Sequence, residues 1–401
     1  MCSQPDSPPA AGGGTARQNT ESPALRYGMY LLMTGLGVTL TFLSPMLREI
    51  MREFSVGLAQ GGLVTGAVGA GGVAAILAVG LISDRFSKKK LVLAGSVIFS
   101  LTLPLISTAS SYWVLLLLLA IVGMGTRVLD TLSNAVIKDG YTENSGRYLN
   151  LMHAFVSIGA ILGPVLSGNL LPLLGWRPVL LIIGGLCLVT CAVFLRITRG
   201  IQTAPAAAKT PAVSILAPLR DPRMWVICAI TLLYVGHQAS MTTWLPTCFS
   251  EVFGIEERWA AYSVSLYWLG IVFGRLFCTK IYRPDRAKAL LIWGQLLGGL
   301  CLLGGVLSHN PAVFGVSVFL SGLLSGAALP LLLDVGCGYH PEASGAAMSL
   351  VFLVINISPL IFPVLVGAVG DASGLGTGFL VAAALLIAAA APGLLMGKEK
   401  K

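Results

Sequence analysis

The chain has 401 residues, of which 55% are hydrophobic and only 11% charged, with a formal net charge of +9. Soluble globular proteins carry about 25% charged residues, so this chain cannot cover its surface with charge and lipid must be the solvent for most of it. The positive charges sit in short segments between apolar runs, not on one soluble face, which argues against a nucleic-acid partner and for a membrane topology.

Residues 1–25 open as "MCSQPDSPPAAGGGTARQNTESPA", rich in Pro, Gly, Ser and Ala and without the apolar core of a signal peptide; they read as a disordered cytoplasmic tail. A bilayer core of roughly 30 Å takes about 20 helical residues. Twelve apolar runs of that kind follow, at 26–48, 57–82, 90–109, 112–138, 147–172, 177–196, 223–250, 258–281, 288–307, 311–338, 343–370 and 375–396. Only the segment 197–221 is long and polar enough to be a cytoplasmic linker. It divides the chain into an N-terminal bundle (26–196) and a C-terminal bundle (222–396), with 397–401 as a second tail. The expected fold is an all-α membrane protein: twelve transmembrane helices in two pseudo-symmetric six-helix bundles. The eight cysteines form no C-x-x-C and mostly lie inside apolar runs, so they read as small buried hydrophobes.

With the N-terminus placed in the cytoplasm, 20 of the 26 Lys and Arg fall in cytoplasmic segments. Only Arg48, Arg52, Arg177 and Arg258 fall outside, and Arg127 and Arg275 lie within spans. That bias predicts both termini inside and a multi-pass protein of the plasma membrane, or of the inner membrane in a bacterium. The two halves also echo each other. "GLISDRFSKKK" (80–90) follows span 2 and "GRLFCTKIYRPDRAKAL" (274–290) follows span 8; both are basic and both begin with glycine. Two related halves with a solute path between them is a common transporter plan.

The stretch from Gly80 to Lys89 resembles the loop motif G-x-L-x-D-R-x-G-R-K of the major facilitator superfamily, with Ser87 in place of a glycine and lysines in place of the Arg-Lys pair. The resemblance extends over about residues 26–396. It implies that Gly80, Asp84, Arg85 and Lys88 belong to a cytoplasmic latch between the halves; a solvated basic loop is the plainer reading. Asp139 and Arg147 resemble the acid and the arginine that close the family's span 4–5 motif, again gating positions. In span 5, Gly159-Ala160-Ile161-Leu162-Gly163-Pro164-Val165-Leu166-Ser167-Gly168 is similar to the signature G-x-x-x-G-P-x-x-x-G, associated with exporters that exchange a substrate for protons. A packing seam of small residues explains it equally well. Gly123, Gly125, Asp130 and Asn134, with "LNLMHAFVSIG" (149–159), "YVGHQASMTTWLP" (234–246) and "SLYWLGIVFGR" (265–275), resemble the fucose–proton symporter and sugar-permease branch. Gln238 departs from that branch, which often has an acid in this part of span 7; Arg127 is a second departure.

A charge at mid-membrane costs several kcal/mol unless it is paired or wetted. Arg127 and Asp130 lie three apart on span 4, with Asn134 four further on, so all three share one helical stripe. Spans 4 and 5 are antiparallel neighbours joined by a short turn, and the helical rise of about 1.5 Å per residue brings Asp130 level with His153. The two are therefore expected near each other. Asp130 would exchange a proton, with His153 or Arg127 tuning it; a static Arg–Asp–His clamp is the competing reading, and direct substrate contact a third. Arg275 and Asp334, near the cytoplasmic ends of spans 8 and 10, are expected as gate or latch partners. Near mid-depth, His237, Gln238, Trp268 and Asn356, with Trp244 two turns further out and Asn134 on the span 4 stripe, offer amides and aromatic faces suited to a polyol.

These residues predict a secondary transporter of a small polar solute, a sugar or related metabolite, driven by a proton gradient. The alternatives are a proton-exchanging exporter of drugs or metabolites and a transporter-like receptor or scaffold that moves nothing. No phosphate loop, metal-ligand cluster or nucleophile constellation is present, so neither an enzyme nor a bound cofactor is expected. The expected partners are the solute, protons and the bilayer, with the chain a monomer.

Overall fold

The computed structural model describes residues 22–82, 86–141, 145–201, 203 and 217–396. Its helices are α1 (Pro23–Thr41), α2 (Leu43–Phe54), α3 (Leu58–Ile82), α4 (Lys88–Ile106), α5 (Tyr112–Gly140), α6 (Ser145–Leu174), α7 (Trp176–Ile197), α8 (Ala217–Arg220), α9 (Pro222–Glu251), α10 (Glu257–Ile281), α11 (Ala287–Leu307), α12 (Pro311–Ser325), α13 (Ala328–Tyr339), α14 (Ser344–Ser373) and α15 (Leu375–Leu394). The pairs α1–α2 and α12–α13 each make one span, giving twelve among the described residues. An even number of crossings puts the first and last helix ends on one face, called here the terminal face.

Helix starts follow local chemistry. The side chains of Ser111, Asp221 and Asn310 accept hydrogen bonds from the backbone N–H groups of Val114, Arg223 and Ala312, donors that a helix start leaves unpaired. Pro23, Pro222 and Pro311 occupy first-turn positions, where the missing N–H costs nothing. Asp221 also holds Arg223 through three side-chain contacts, and this guanidinium keeps its carboxyl below the usual carboxylate range. Large apolar side chains such as Trp113, Leu173 and Phe277 stay exposed on the outside of the bundle, as lipid-facing positions must.

Prolines explain the breaks and some of the contacts. A helical proline removes the hydrogen bond to the carbonyl four residues back, and in lipid that carbonyl needs another donor. Pro45 frees the carbonyl of Thr41, which accepts from the Ser44 hydroxyl at 3.0 Å, and α1 and α2 meet there at a 41° bend. Pro164 frees the carbonyl of Ala160, which accepts from the Thr41 hydroxyl of α1 at 3.0 Å. Pro330 frees the carbonyl of Gly326, which accepts from Arg275 Nε at 3.2 Å, at the junction of α12 and α13.

Helices α1–α7 form one half and α9–α15 the other. The halves are closed against each other at the face opposite the termini. Asp371 of α14 accepts from the backbone N–H groups of Leu58 and Ala59, both at 2.8 Å, placing a carboxylate on the N-terminus of α3 across the divide. Arg48 pairs with Glu257 at 2.8 Å and with Glu251 at 3.4 Å. The Thr65 and Thr243 hydroxyls bond at 2.8 Å, and Asn169 donates to the Tyr262 hydroxyl at 2.7 Å. These contacts close the halves at the face opposite the termini, and the state is read as closed there.

Candidate functional site

One hydrogen-bonded ladder crosses the middle of the molecule. Arg127 Nε donates to Asn356 Oδ1 of α14 at 3.1 Å, and Arg127 Nη1 donates to Asp130 Oδ2 at 2.8 Å. Asn134 Nδ2 donates to the Asp130 carbonyl at 2.8 Å and to Asp130 Oδ1 at 3.1 Å. His153 Nε2 of α6 meets Asn134 Oδ1 at 3.0 Å. The ladder thus runs from the second half through α5 to α6. The spacing of 127, 130 and 134 puts all three on one stripe of α5. The contact of Arg127 with Asn356 shows that this stripe faces the other half. Gly72 of α3 leaves the space: a Cβ there would lie 2.0 Å from Asn356 Oδ1.

The ladder is only partly sealed. The Arg127 and Asp130 side chains keep 19% and 18% of their surface accessible, and Asn134 and His153 are half-buried. At mid-span, between helices that otherwise bury apolar surface, such exposure requires a wet opening between the halves. The paired guanidinium and carboxylate cancel most of each other's field, and the amide carries the connection on to the imidazole.

The expected nearness of Asp130 and His153 is met indirectly, because Asn134 stands between them. A helical side chain leans toward its own N-terminus, so Asn134 reaches back to Asp130 with its amide nitrogen and leaves its oxygen for His153. Asn134 and Asn356, read from sequence as solute contacts, are both engaged in the ladder; the Asn356 amide nitrogen also donates to the Phe352 carbonyl at 2.7 Å.

Two of the expected solute contacts lie away from the opening. His237 is 0% exposed, inside the second half, with Nδ1 at 2.9 Å from the Ala382 carbonyl and Nε2 at 3.3 Å from the Ser321 hydroxyl. Trp244 is 0% exposed near the closed face and donates its indole N–H to the Pro363 carbonyl at 2.9 Å. Both have the mid-to-outer depth that residue counting gives, but their rotation about α9 turns them into packing. Gln238 is half-buried on α9, and Trp268 is buried with an indole N–H that has no partner among the described residues.

Of the expected gating residues, Asp84 and Arg85 lie outside the described residues. Gly80 falls in the last turn of α3, Lys88 opens α4, Asp139 falls in the last turn of α5, and Arg147 is exposed in the first turn of α6. Asp334, on α13 near the terminal face, accepts from the Tyr282 hydroxyl. Arg275 holds the Gly326 carbonyl within its own half. In span 5, Gly159 and Gly163 let α6 approach α1, since added Cβ atoms would sit 2.1 Å from the Thr34 carbonyl and 2.4 Å from the Thr41 hydroxyl; the motif is a packing seam in this structure. A flank groove of about 1060 Å³ on the second half, lined by Phe273, Phe277, Leu297 and Phe319, faces lipid and not the ladder.

Sequence reasoning missed the closure at the opposite face. Asp371, Arg48, Glu251 and Glu257 are single polar residues at helix ends, and their partners lie up to 313 positions away. The one signal was Asp371 itself, an acid at the end of an otherwise apolar run, level with the start of α3.

A model of the Major Facilitator Superfamily matches residues 29–343. The chain is similar to multidrug resistance protein D of Escherichia coli (strain K12), 26% identical over 373 residues, covering 90% of this chain and 88% of that protein. It is also similar to a glucose/galactose transporter of Brucella abortus biovar 1 (strain 9-941), 24% identical over 336 residues, covering 76% and 77%. Among solved structures, the fold is similar to that of a bacterial homologue of the human lysosomal transporter Spinster in an inward-facing and occupied conformation. The TM-score is 0.80 at 16% identity, over 93% of this chain and 96% of that one. The family and these relatives are transporters, not enzymes. With a matching family model over most of its length and the twelve-span, two-bundle fold, the chain belongs to the major facilitator superfamily.

Proposed function

We propose that the protein is a secondary transporter that moves a small polar solute, a sugar or related metabolite, by alternating access, with proton movement coupled through Asp130. The observation that carries this reading is the ladder from Asn356 to His153. It is an ionised, partly wetted element in the middle of apolar spans, and it bridges the two halves that alternating access must move against each other. Opening the opposite face requires the halves to rotate, and rotation strains the link from Arg127 to Asn356. A change in that link alters how strongly Arg127 holds the Asp130 carboxylate, and so when Asp130 takes or gives a proton. Solute sits between the ladder and Gln238 of α9. The surplus of Lys and Arg on the terminal face supports a cytoplasmic location for both termini and for the open side.

A second reading, proton-exchanging export of drugs or metabolites, is favoured by the likeness to a multidrug resistance protein and by the Gly163-Pro164 seam. Proteoliposomes with an internal pH dye separate the two. A sugar whose entry acidifies the interior supports symport, and a cationic drug whose entry alkalinises it supports exchange. If neither a solute nor protons move on any addition, the transporter reading fails and a receptor or scaffold role remains.

A further inference from the structure

The ladder is electrically balanced, but the facing half is not. Arg275 lies on α10, six residues from the end of that helix, about 9 Å into the span at 1.5 Å per residue. Its Nε satisfies the Gly326 carbonyl left free by Pro330. Its two terminal nitrogens have no hydrogen-bond or ion-pair partner among the described residues. Asp334, the nearest acid along the spans of this half, is taken by the Tyr282 hydroxyl near the terminal face. A half-buried guanidinium with no carboxylate is an expensive group to keep in a membrane span.

Its surroundings supply more donors. The Tyr234 hydroxyl is fully buried with no partner, and the Tyr267 hydroxyl, beside Ser325, forms no hydrogen bond of ordinary geometry. Tyr267 lies two turns before Arg275 on α10, and Tyr234 lies on α9, which packs against α10. The side chain of Arg275 leans toward the start of α10, that is, toward Tyr267 and mid-membrane. Across the divide α10 packs against α6, whose His153 ends the ladder. Charges facing this spot are therefore Arg275, the internally compensated pair of Arg127 and Asp130, and an imidazole. The remaining unspent groups are hydroxyl donors.

We propose that the transported solute carries an acidic group, a carboxylate, phosphate or sulfonate, that docks on the Arg275 terminal nitrogens. This rests on the transporter reading and narrows it from polar solutes to organic anions. A guanidinium presents two parallel N–H groups that match the two oxygens of such an anion. The bound anion supplies the charge that the protein leaves out. Its hydroxyl-bearing remainder faces Gln238 and the ladder.

The test uses matched pairs on the full-length protein in proteoliposomes: glucose against glucuronate and glucose 6-phosphate, glycerol against glycerate and glycerol 3-phosphate. Counterflow and ligand-induced shifts in Tm are read for each. One acid is expected to be carried, and to raise Tm, at concentrations at least tenfold below those at which its neutral partner does either. Arg275→Gln is expected to erase that preference, and Arg275→Lys to retain part of it. Arg275 also supports a backbone carbonyl, so Arg275→Lys serves as the control for folding: it keeps a donor and the charge, and is expected to match the parent in Tm without solute while raising KM for the acid several-fold with kcat unchanged. Neutral and acidic partners carried equally well by the parent protein would overturn the proposal while leaving a transporter. So would an acid preference that survives Arg275→Gln. Failure of every solute, with no counterflow, would overturn the transporter reading and this proposal with it.

Discussion

Asp130→Asn is expected to abolish proton-driven accumulation of the solute while leaving counterflow intact. A pH gradient of one unit holds about 1.4 kcal/mol per proton, enough for roughly tenfold accumulation at one proton per solute. The parent protein should reach that ratio, and the variant should fall to about one. The asparagine keeps the size and the hydrogen bond from Asn134, so the ladder keeps its shape. It loses the carboxylate of the stripe and leaves Arg127 with Asn356 alone. A static clamp between α5 and α6 predicts something different. There the damage comes from the unpaired Arg127, and the double change Arg127→Gln with Asp130→Asn should restore accumulation by removing the stranded charge. Under coupling the double variant stays uncoupled. Accumulation by Asp130→Asn equal to that of the parent would remove Asp130 from the proton path.

Gly71→Ala is expected to cost most of the folded protein. A Cβ at Gly71 would lie 1.7 Å from the Ala120 carbonyl oxygen and 2.8 Å from the Met124 backbone nitrogen. Both atoms belong to the backbone of α5, so no side-chain rotation relieves the clash, and α3 and α5 must move apart. Overpacking of this kind costs about 1–3 kcal/mol and at times more. The displaced helix carries the Arg127 stripe, so the damage spreads to the ladder. Gly185→Ala on α7 is the control: nothing lies within 4 Å of its added Cβ, and helix propensity alone favours alanine there. Size-exclusion yield and the midpoint of thermal unfolding in detergent should separate the two. Equal yields and midpoints would show that the α3–α5 contact is looser than described here.

Much of this architecture was legible before the structure. Each span is an apolar run longer than a soluble helix core needs, and the structural bounds differ from the runs by a few residues. The largest difference is informative. The first apolar run ends at 48, but the chain continues as α2 to Phe54. The charges of Arg48, Glu49, Arg52 and Glu53 mark its exit from lipid, not its end; they are spent on Glu257, on the backbone of Trp176 and on Arg177.

The polar stripe of α5 could be read from spacing because three polar residues stood on one face of an otherwise apolar helix. Helix α9 gave no such guide. It is buried nearly all round, so His237 and Gln238, adjacent in sequence and alike in depth, point in different directions: His237 into packing against Ala382 and Ser321, Gln238 onto a half-buried surface. Depth follows from residue counting, whereas rotation about the axis requires knowing which neighbours surround the helix. The free nitrogens of Arg275 were hidden for a related reason. They depend on Pro330 freeing a carbonyl on a different span, a pairing across more than fifty residues that no local pattern announces.

Alternating access around the ladder requires water to reach it from the terminal face while the opposite face is closed. The most direct measurement is the reactivity of Asn134→Cys, in a protein whose eight native cysteines have been replaced, toward a membrane-impermeant thiol reagent added to either face of oriented vesicles. Reaction from the terminal face, slowed by transported solute, is the expected result. A thiol that stays unreactive from both faces, while a cysteine on an exposed loop of the same protein reacts, would contradict it.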